Sequence, residues 1–579
     1  MHRRTAVVPA IFASIFFACG AMPTPDGGVD AGEQPCLAFP RRIDANYTVE
    51  KGCWLVLETP TIAAAVTVTV RPGARLIFSA GTRLAFSAEQ VLNAVGTESE
   101  PILFTGASPV RGFWKGLRFD GTTAASTLEW VTVEYGGETT GDAEAANVKL
   151  TADSRGARVG FSHVTLRESQ GYGLWLAGSA VLPTFTANTL TANTLEPLNI
   201  DAETVGRLDA ASVFTGNGKD EIKVRSYRLT NSGTWLNFGV PYHLTSDLAS
   251  LGSGQLTLSA GVKVIFPPEG ALTISGDAAA LITEGTAANP VVLTGETQAR
   301  GAWEGVVFDG SNNTVNQLKY TRVEYAGNTS SDTKAAGVVL RADSHGVAVK
   351  IDHLVVRDSQ GYGLRLAASA RTDVTSSTFT ANALGAVLTD SNAAHQLAPD
   401  SVFTGNDVDR VFVEGMWVSG AVVWQDLGVP YVFTGVSVSP QAVWTLAAGV
   451  VLEMRPQTRI DVGGDAAGFH CAGTATRPVV ITGTQKTNGS WDGIDFDTTL
   501  NAENVFDNCI VEYGGGGTRF GWHGMINSRS DSHGVRVSVT NSTIRHSATW
   551  GIYFNRAQLG AVTGNTYLDN AQGDYFHEP

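Results

Sequence analysis

Three tryptophans recur in Gly-x-Trp-x-Gly segments of the sequence: Trp114, Trp303 and Trp491. The flat face of an indole can stack on the apolar face of a pyranose ring, which makes these side chains candidate ligand-binding residues. The alternative is that they pack at a corner of the fold. In a straight strand Leu117 and Phe119 would point inward and Trp114 outward, but Gly116 can break that alternation.

Three glutamates recur in Val-Glu-Tyr segments: Glu134, Glu324 and Glu512. If the flanking Val and Tyr point inward, strand alternation places the carboxylates on the outer face. They are candidate ligand-binding residues or general acids, and the alternative is that they are solvated surface charges. Glycoside cleavage usually needs a second carboxylate, and none accompanies them in the sequence.

Histidine offers a weaker candidate chemistry. Asp343-Ser-His-Gly346 and Asp531-Ser-His-Gly534 resemble the acid and Gly-His-Gly elements of polygalacturonases, but Arg155 stands at the position of the histidine in the first copy. His163 and His353 recur, whereas the third copy has Asn541. A hydrogen-bonding role at a corner suits His and Asn equally. We therefore predict no catalytic residue, and no metal or cofactor site, since zinc-spaced His pairs, phosphate loops and nucleophile elbows do not occur.

The amino terminus predicts export. Arg3 and Arg4 precede an uncharged apolar run, Ala6 to Ala18, that is too short to span a bilayer comfortably. The segment Phe16-Phe-Ala-Cys19 resembles a bacterial lipoprotein cleavage site, which implies that Cys19 carries a lipid and residues 1–19 are a signal peptide. Ordinary secretion with cleavage near Gly20 or Ala21 is the alternative. Residues 20–44, rich in Pro, Gly, Asp and Ala at their start, are predicted to be a flexible tether.

The net charge and the cysteine content indicate which classes of partner and which cellular compartment suit the chain. Removal of residues 1–19 takes the formal charge from −15 to −17, because Arg3 and Arg4 leave with no acidic residue. An acidic chain without basic clusters is a poor nucleic-acid partner. Besides Cys19, an even number of cysteines in an exported chain permits two disulfides, although sequence alone does not fix the connectivity. The most plausible pairs are Cys36 with Cys53 and Cys471 with Cys509.

The sequence also repeats on a larger scale. Pro101-Ile-Leu-Phe-Thr-Gly106 returns at Pro290 and Pro478, offsets of 189 and 188 residues, and the Trp, Glu and Asp-Ser segments return in the same order. Such repetition indicates three similar blocks. We place block 1 at residues 45–237, block 2 at 238–426 and block 3 at 427–579, because Gly239-Val-Pro-Tyr242 and Gly428-Val-Pro-Tyr431 open the second and third copies.

Short apolar alternation, as in Val66-Thr-Val-Thr-Val70, predicts an all-β chain. Glu134, Asp153 and Gly171 follow one another at 19 and 18 residues, close to one coil of a β-solenoid. If a block of about 189 residues makes roughly eight or nine coils at about 4.8 Å each, equivalent residues lie about 40 Å apart. Asn in repeated Phe-Thr-x-Asn segments is expected at tight corners, bonded to the next coil.

Together, the coil texture, the corner asparagines and the Gly-x-Trp-x-Gly segments resemble the right-handed parallel β-helix proteins of the pectin-lyase-like class over about residues 45–575. The resemblance implies one continuous solenoid of three blocks of about 189 residues, and three tandem β-sandwich domains are the alternative. Because such scaffolds carry lyases, hydrolases, adhesins and stalks, it does not imply a single function.

Two functions therefore stay open. The first is a structural or ligand-binding protein, lipid-anchored to the cell surface or outer membrane, that acts as an adhesin or grips a polysaccharide through three equivalent surfaces. The second is a polysaccharide lyase or glycoside hydrolase. A cluster of acids and bases confined to one block would distinguish the two.

Overall fold

The computed structural model describes residues 35–151, 156–225, 228–341, 346–517, 523–529, 534–555 and 558–578. Within these ranges the chain forms short parallel strands, one α-helix, Ala202–Val205, and one 3-10 helix, Ala394–Gln396. In the described ranges, neither helix is long and apolar enough to cross a membrane. The chain is all-β, and its strands stack coil upon coil as a parallel β-helix.

Alternation in the sequence produces the strands. In Thr67–Val70 the two valines are buried and the two threonines are partly exposed, which is the pattern of a strand with one face on a core. The same alternation recurs in Arg536–Thr540. Buried apolar side chains form one continuous core that runs from Phe39 to Phe554.

A coil contributes one strand to each of three sheets, as Ile102–Gly106, Leu117–Asp120 and Ser126–Glu129 do. Coils are longer than the 18 or 19 residues expected from the sequence, since Glu134 pairs with Arg167 on the next coil. The expectation was wrong because Glu134 and the strand that follows Gly171 belong to different sheets, and because loops lengthen each coil.

Three sheets carry the repeated Pro-x-x-x-Thr-Gly and Val-Glu strands, one sheet in each block. A 7-stranded sheet contains Leu37–Ala38, Gly52–Val56, Ala74–Phe78, Ile102–Gly106, Val131–Glu134, Thr165–Arg167 and Thr189–Thr191. A 12-stranded sheet contains Leu84–Ser87, Leu117–Asp120, Ala146–Thr151, Tyr172–Leu176, Leu198–Asp201, Ile222–Arg225, Tyr242–Leu244, Lys263–Phe266, Val291–Gly295, Thr321–Glu324, Val355–Arg357 and Thr378–Thr380. A 14-stranded sheet contains Arg228–Leu229, Leu248–Leu251, Ala271–Ser275, Gly305–Asp309, Ala336–Arg341, Tyr362–Leu366, Gly385–Asp390, Val411–Glu414, Tyr431–Phe433, Val451–Met454, Val479–Gly483, Cys509–Glu512, Thr543–Arg545 and Thr566–Leu568.

The remaining sheets have two, six or seven strands. One 6-stranded sheet contains Tyr47–Val49, Thr67–Val70, Val91–Val95, Ser126–Glu129, Val159–Ser162 and Phe185–Thr186. A second contains Gly233–Trp235, Gln255–Leu258, Ala280–Thr283, Gln317–Lys319, Val347–Asp352 and Ala370–Thr375. A third contains Ala421–Trp424, Val443–Leu446, Gly468–Ala472, Val505–Asp507, Arg536–Thr540 and Gln558–Thr563. A second 7-stranded sheet contains Trp417–Val418, Val436–Val438, Arg459–Gly463, Gly493–Asp497, Gly524–Arg529, Trp550–Asn555 and Gly573–Glu578, and Arg42–Ile43 pairs with Thr61–Ile62.

Two junctions interrupt this regular stacking. Leu198–Asp201 pairs directly with Ile222–Arg225, and only the helix Ala202–Val205 lies between them in the chain. Gly385–Asp390 likewise pairs with Val411–Glu414, with the 3-10 helix Ala394–Gln396 between them. At each junction one sheet continues while two sheets end and two begin. Because the long sheets cross residues 238 and 427, three separate β-sandwich domains are excluded.

Because a different sheet continues at each junction, the same repeated strand lies on a different side of the solenoid in each block. The Pro-x-x-x-Thr-Gly strand lies in the first 7-stranded sheet in block 1, in the 12-stranded sheet in block 2 and in the 14-stranded sheet in block 3. Leu117–Asp120 is seven steps from Val291–Gly295 in the same sheet, so a block advances about 30–34 Å at ~4.8 Å per step. That is fewer coils than the eight or nine expected. The three equivalent surfaces therefore face different sides of the solenoid.

Candidate functional site

The recurring tryptophans are buried, not exposed to a ligand. Trp114, Trp303 and Trp491 are each 0% exposed. The rings of Trp114 and Trp303 stack on Phe78 and Phe266, with ring centroids 3.9 and 4.2 Å apart. The expectation that the tryptophans could stack on sugars is therefore corrected, and the packing alternative describes them.

Glycine explains why Trp114 points inward. Gly116 has a φ of +87°, and an added Cβ there would lie 2.5 Å from the backbone oxygens of Ala146 and Asn147. This left-handed residue breaks the strand alternation, so Trp114 enters the core although Leu117 and Phe119 do so as well. The matching glycines after Trp303 and Trp491 also have positive φ, of +119° and +133°.

The recurring glutamates are covered by neighbouring coils. Their exposed fractions are 7% for Glu134, 9% for Glu324 and 6% for Glu512. One carboxylate oxygen of Glu134 accepts a hydrogen bond of 2.9 Å from Thr105 Oγ1, and the other binds the guanidinium of Arg167 at 2.7 Å.

The same arrangement recurs in the other blocks. Glu324 binds Arg357 at 2.8 Å and Glu512 binds Arg545 at 2.6 Å. Thr482 also donates to Glu512 at 2.9 Å. These ion pairs join successive coils, which corrects the expectation that the glutamates are solvated charges or ligand-binding residues.

The recurring His and Asn residues occupy corners with left-handed backbone. The φ values are 54° for His163, 53° for His353 and 52° for Asn541. The ring of His163 stacks on Trp130 of the preceding coil, with centroids 4.1 Å apart. In the Phe-Thr-x-Asn segments the left-handed residue is the one before Asn, as at Ala381, and Asn382 bonds to Asn406 of the next coil at 2.9 Å. The Asp-Ser-His residues 343–345 and 531–533, with their counterparts 153–155, lie outside the described residues.

The structure joins the cysteines in two disulfides, Cys36 to Cys53 and Cys471 to Cys509. The first lies at the amino-terminal end of the described solenoid, where Cys36 is exposed. The second lies in the core, with Cys471 and Cys509 at most 1% exposed. Cys19, the predicted lipidation site, lies outside the described residues.

A groove opens on the outer surface at the second junction, where the 3-10 helix takes the place of strands. Its volume is about 940 Å³, and an adjoining cavity of about 620 Å³ shares four of its lining residues. We call this surface the junction groove and define it by Lys350, Arg371, Asp373, His395, Gln396 and Ser419. Its length over successive coils suits an extended ligand better than a compact one.

Strand register and two hydrogen bonds of the Gln396 side chain position the polar groups of the groove. Lys350 and Asp373 are register partners on neighbouring strands, and both are exposed. Gln396 accepts a hydrogen bond from the Thr372 backbone at 2.6 Å and donates one to Ala370 O at 2.8 Å. These two hydrogen bonds hold the 3-10 helix, and with it His395, against the end of the sheet.

The charges in the groove differ from those of the whole chain. Lys350 and Arg371 supply two cations against the single carboxylate of Asp373, although the chain as a whole is acidic. Partial desolvation lowers the pKa of His395, while a hydrogen bond that the imidazole donates to the backbone oxygen of Asn392 and the charge of Asp373 act the other way. His395 is therefore neutral at pH 7 and can either donate or accept a proton. In the described ranges no group of three His, Cys, Asp or Glu residues could hold a metal ion.

The groove residues are specific to block 2, and the sequence reasoning missed them. By register and alignment of the blocks, Lys350, Asp373 and His395 correspond in block 1 to Gly160, Thr184 and Gly206. A search for positions where one block departs from the others could have found this set. Searching for repeated residues instead selects the scaffold, because every block needs the same corners.

One comparison with known proteins bears on this architecture. Residues 229–353 match a family model described as a pectate-lyase like beta helix domain. The matched segment is thus similar to such domains, in agreement with the parallel sheets, and it includes Lys350. No curated protein matches the chain.

Proposed function

We propose that the protein is a cell-envelope β-helix protein that binds an acidic polysaccharide in the junction groove. The observation that carries the proposal is the groove itself, a cavity across successive coils whose lining includes the exposed charged side chains of Lys350, Arg371 and Asp373. Lys350 and Arg371 provide charge complementarity to carboxylate or sulfate groups. His395 adds a polar ring at the same surface, which suits oriented binding of a hydroxylated ligand.

Affinity electrophoresis in gels that contain polygalacturonate, alginate or neutral dextran tests this proposal. We expect retardation by an acidic polymer and not by dextran, and a weaker effect as salt screens the charges. Lys350→Ala/Arg371→Ala should weaken binding by about tenfold, which corresponds to about 1.4 kcal/mol. Lys263→Ala/Arg322→Ala is the matched control, because it removes two exposed cations from the 12-stranded sheet. Equal losses in the two double variants would contradict a groove-specific site.

A second candidate function is cleavage of the same polymer. The lowered pKa of His395 favours it, since a neutral imidazole at the rim of a groove can act as a general base. Incubation with polygalacturonate would then release new reducing ends or unsaturated products. His395→Ala should abolish such turnover while leaving gel retardation intact. Binding without turnover would leave the non-enzymatic proposal in place.

We also propose that Cys19 is acylated and holds the protein at the cell envelope, as its resemblance to a lipoprotein cleavage site implies. Cys19→Ser should then move the protein from the membrane fraction to the soluble fraction. The pair Cys36→Ser/Cys53→Ser is a control that removes two cysteines without affecting the lipid. Unchanged membrane association of the Cys19→Ser variant would disprove lipid anchoring. Release of both the original protein and the Cys19→Ser variant into the medium would indicate ordinary secretion.

A further inference from the structure

Trp417 is an exposed aromatic side chain at the same junction. It is 53% exposed, whereas the following residue, Val418, is buried, so the indole points away from the core. Trp417–Val418 is the first strand of the second 7-stranded sheet and pairs on one side only, with Val436–Val438. Large aromatic side chains are usually mostly buried, so an exposed indole at a sheet edge is informative.

The fold does not require an aromatic residue at this position. The corresponding residue of block 1 is Arg228, which begins the 14-stranded sheet in the same way. The nearby Trp424 and its counterpart Trp235 are both 0% exposed, as core packing demands. Trp417 is therefore distinct from the tryptophans that build the scaffold.

Hydrogen bonds connect Trp417 to the rim of the junction groove. Ser391 Oγ donates to the backbone oxygen of Trp417 at 2.6 Å. Asn392, which lines the groove, accepts a hydrogen bond of 2.8 Å from the backbone of Ser419, two residues after Trp417. The neighbouring Met416 lines a further cavity of about 250 Å³. The backbone that carries the indole is thus fixed between two depressions of the surface.

We propose that Trp417 is a sugar-stacking subsite that extends the junction groove. This inference rests on the proposed function. A pyranose ring presents C–H groups on one face, and an indole face binds them through dispersion and electrostatic contacts. Lys350 and Arg371 would bind the acidic substituents of the chain while Trp417 packs against one of its rings. The ligand class is therefore an acidic pyranose polymer with at least one ring face free.

Direct observation of the indole provides the first test. The protein contains 12 tryptophans, and fluorine NMR of 5-fluorotryptophan protein resolves them individually. Trp417→Phe identifies the Trp417 resonance by its disappearance. Titration with oligogalacturonate should shift that resonance, while the buried tryptophans stay unchanged. A ligand that binds and shifts no Trp417 signal would overturn the inference.

Affinity of variants provides the second test. Trp417→Ala should weaken oligogalacturonate binding by about tenfold, and Trp417→Phe by less, with no change in the unfolding midpoint because the side chain is exposed. Tyr575→Ala removes another exposed aromatic residue, at the far end of the solenoid, and should bind as the original protein does.

The outcomes separate this inference from the proposed function. If Lys350→Ala/Arg371→Ala loses binding and Trp417→Ala does not, the groove binds the polymer and the stacking subsite is disproved. If Trp417→Ala alone loses binding, the subsite does not extend the groove, and the inference fails in the form stated. If the original protein binds no acidic glycan, both proposals are overturned.

Discussion

The indole Nε1 of Trp303 donates a hydrogen bond of 2.8 Å to the backbone oxygen of Glu324. Trp114 and Trp491 make the same bond to Glu134 and Glu512, at 2.8 and 2.9 Å. The two motifs that repeat most clearly in the sequence are thus parts of one corner. Their repetition reflects how a coil closes, since the tryptophan fills the core and also satisfies a carbonyl group.

Substitution of a corner tryptophan should destabilise the protein. Trp303→Ala removes a buried side chain and should lower the free energy of unfolding by about 3–5 kcal/mol. Trp303→Phe keeps an aromatic ring beside Phe266 but removes the hydrogen bond to the Glu324 carbonyl oxygen, at a cost of about 0.5–1.5 kcal/mol. Urea unfolding followed by circular dichroism measures both, with exposed Trp417→Ala as the control. A negligible effect of Trp303→Ala would contradict the buried position.

The ion pair between Glu324 and Arg357 should show coupling in a double-mutant cycle. Arg357→Met leaves the covered carboxylate without its cation and should cost about 1–3 kcal/mol, because Arg357 itself is partly exposed to water. Adding Glu324→Gln removes the unpaired charge and should recover part of that loss. Urea unfolding of the four proteins gives the coupling free energy. Strictly additive effects would show that the pair does not stabilise the coil contact.

Stability should depend on pH at the first junction. His243 Nδ1 lies 3.0 Å from Glu221 and its Nε2 lies 2.7 Å from Glu296. Burial opposes protonation of the ring, but hydrogen bonds to the two carboxylates outweigh it and raise the pKa of His243. Its stabilisation is therefore complete below the unfolded value of about 6.5 and is lost as pH rises through the higher folded pKa.

Thermal unfolding from pH 5.5 to pH 9 measures this dependence. His243→Gln should remove the decrease in melting temperature above pH 6.5. His243→Arg should retain a positive charge at all these values and flatten the profile. The second junction has an arginine, Arg410, paired with Glu453 at 2.8 Å instead of a histidine. An unchanged profile in His243→Gln would show that other groups cause the pH dependence.

The two disulfides should differ in their resistance to reduction. Cys36 is exposed, so dithiothreitol should open its bond to Cys53 in the folded protein. Cys471 and Cys509 are buried and should react only after unfolding. Alkylation and peptide mass spectrometry, with and without urea, measure both bonds in one sample. Cys471→Ser should also cost about 2–4 kcal/mol of stability. Equal reduction rates in the folded protein would contradict this assignment of exposure.

The sequence predicts local structure better than it predicts the site. Alternation such as that of Val66 to Val70 identifies strands because one face of each strand meets the core. The direction of Trp114 could not be decided, since it depends on the positive φ of Gly116. The junction groove could not be foreseen at all, because Lys350, Asp373 and His395 come together only through strand register and the interruption of two sheets.

Each repeated strand lies in a different sheet in each of the three blocks. This arrangement affects how a second protein, such as an antibody, can bind the outer surface. An antibody against an outer epitope present in every block would find its three copies at different azimuths around the rod, separated along the axis by about 30–34 Å. Three antibody fragments could then bind without colliding, each from its own direction. A solenoid that repeats in this way presents an equivalent epitope on several sides, so a binding partner can reach one from several directions.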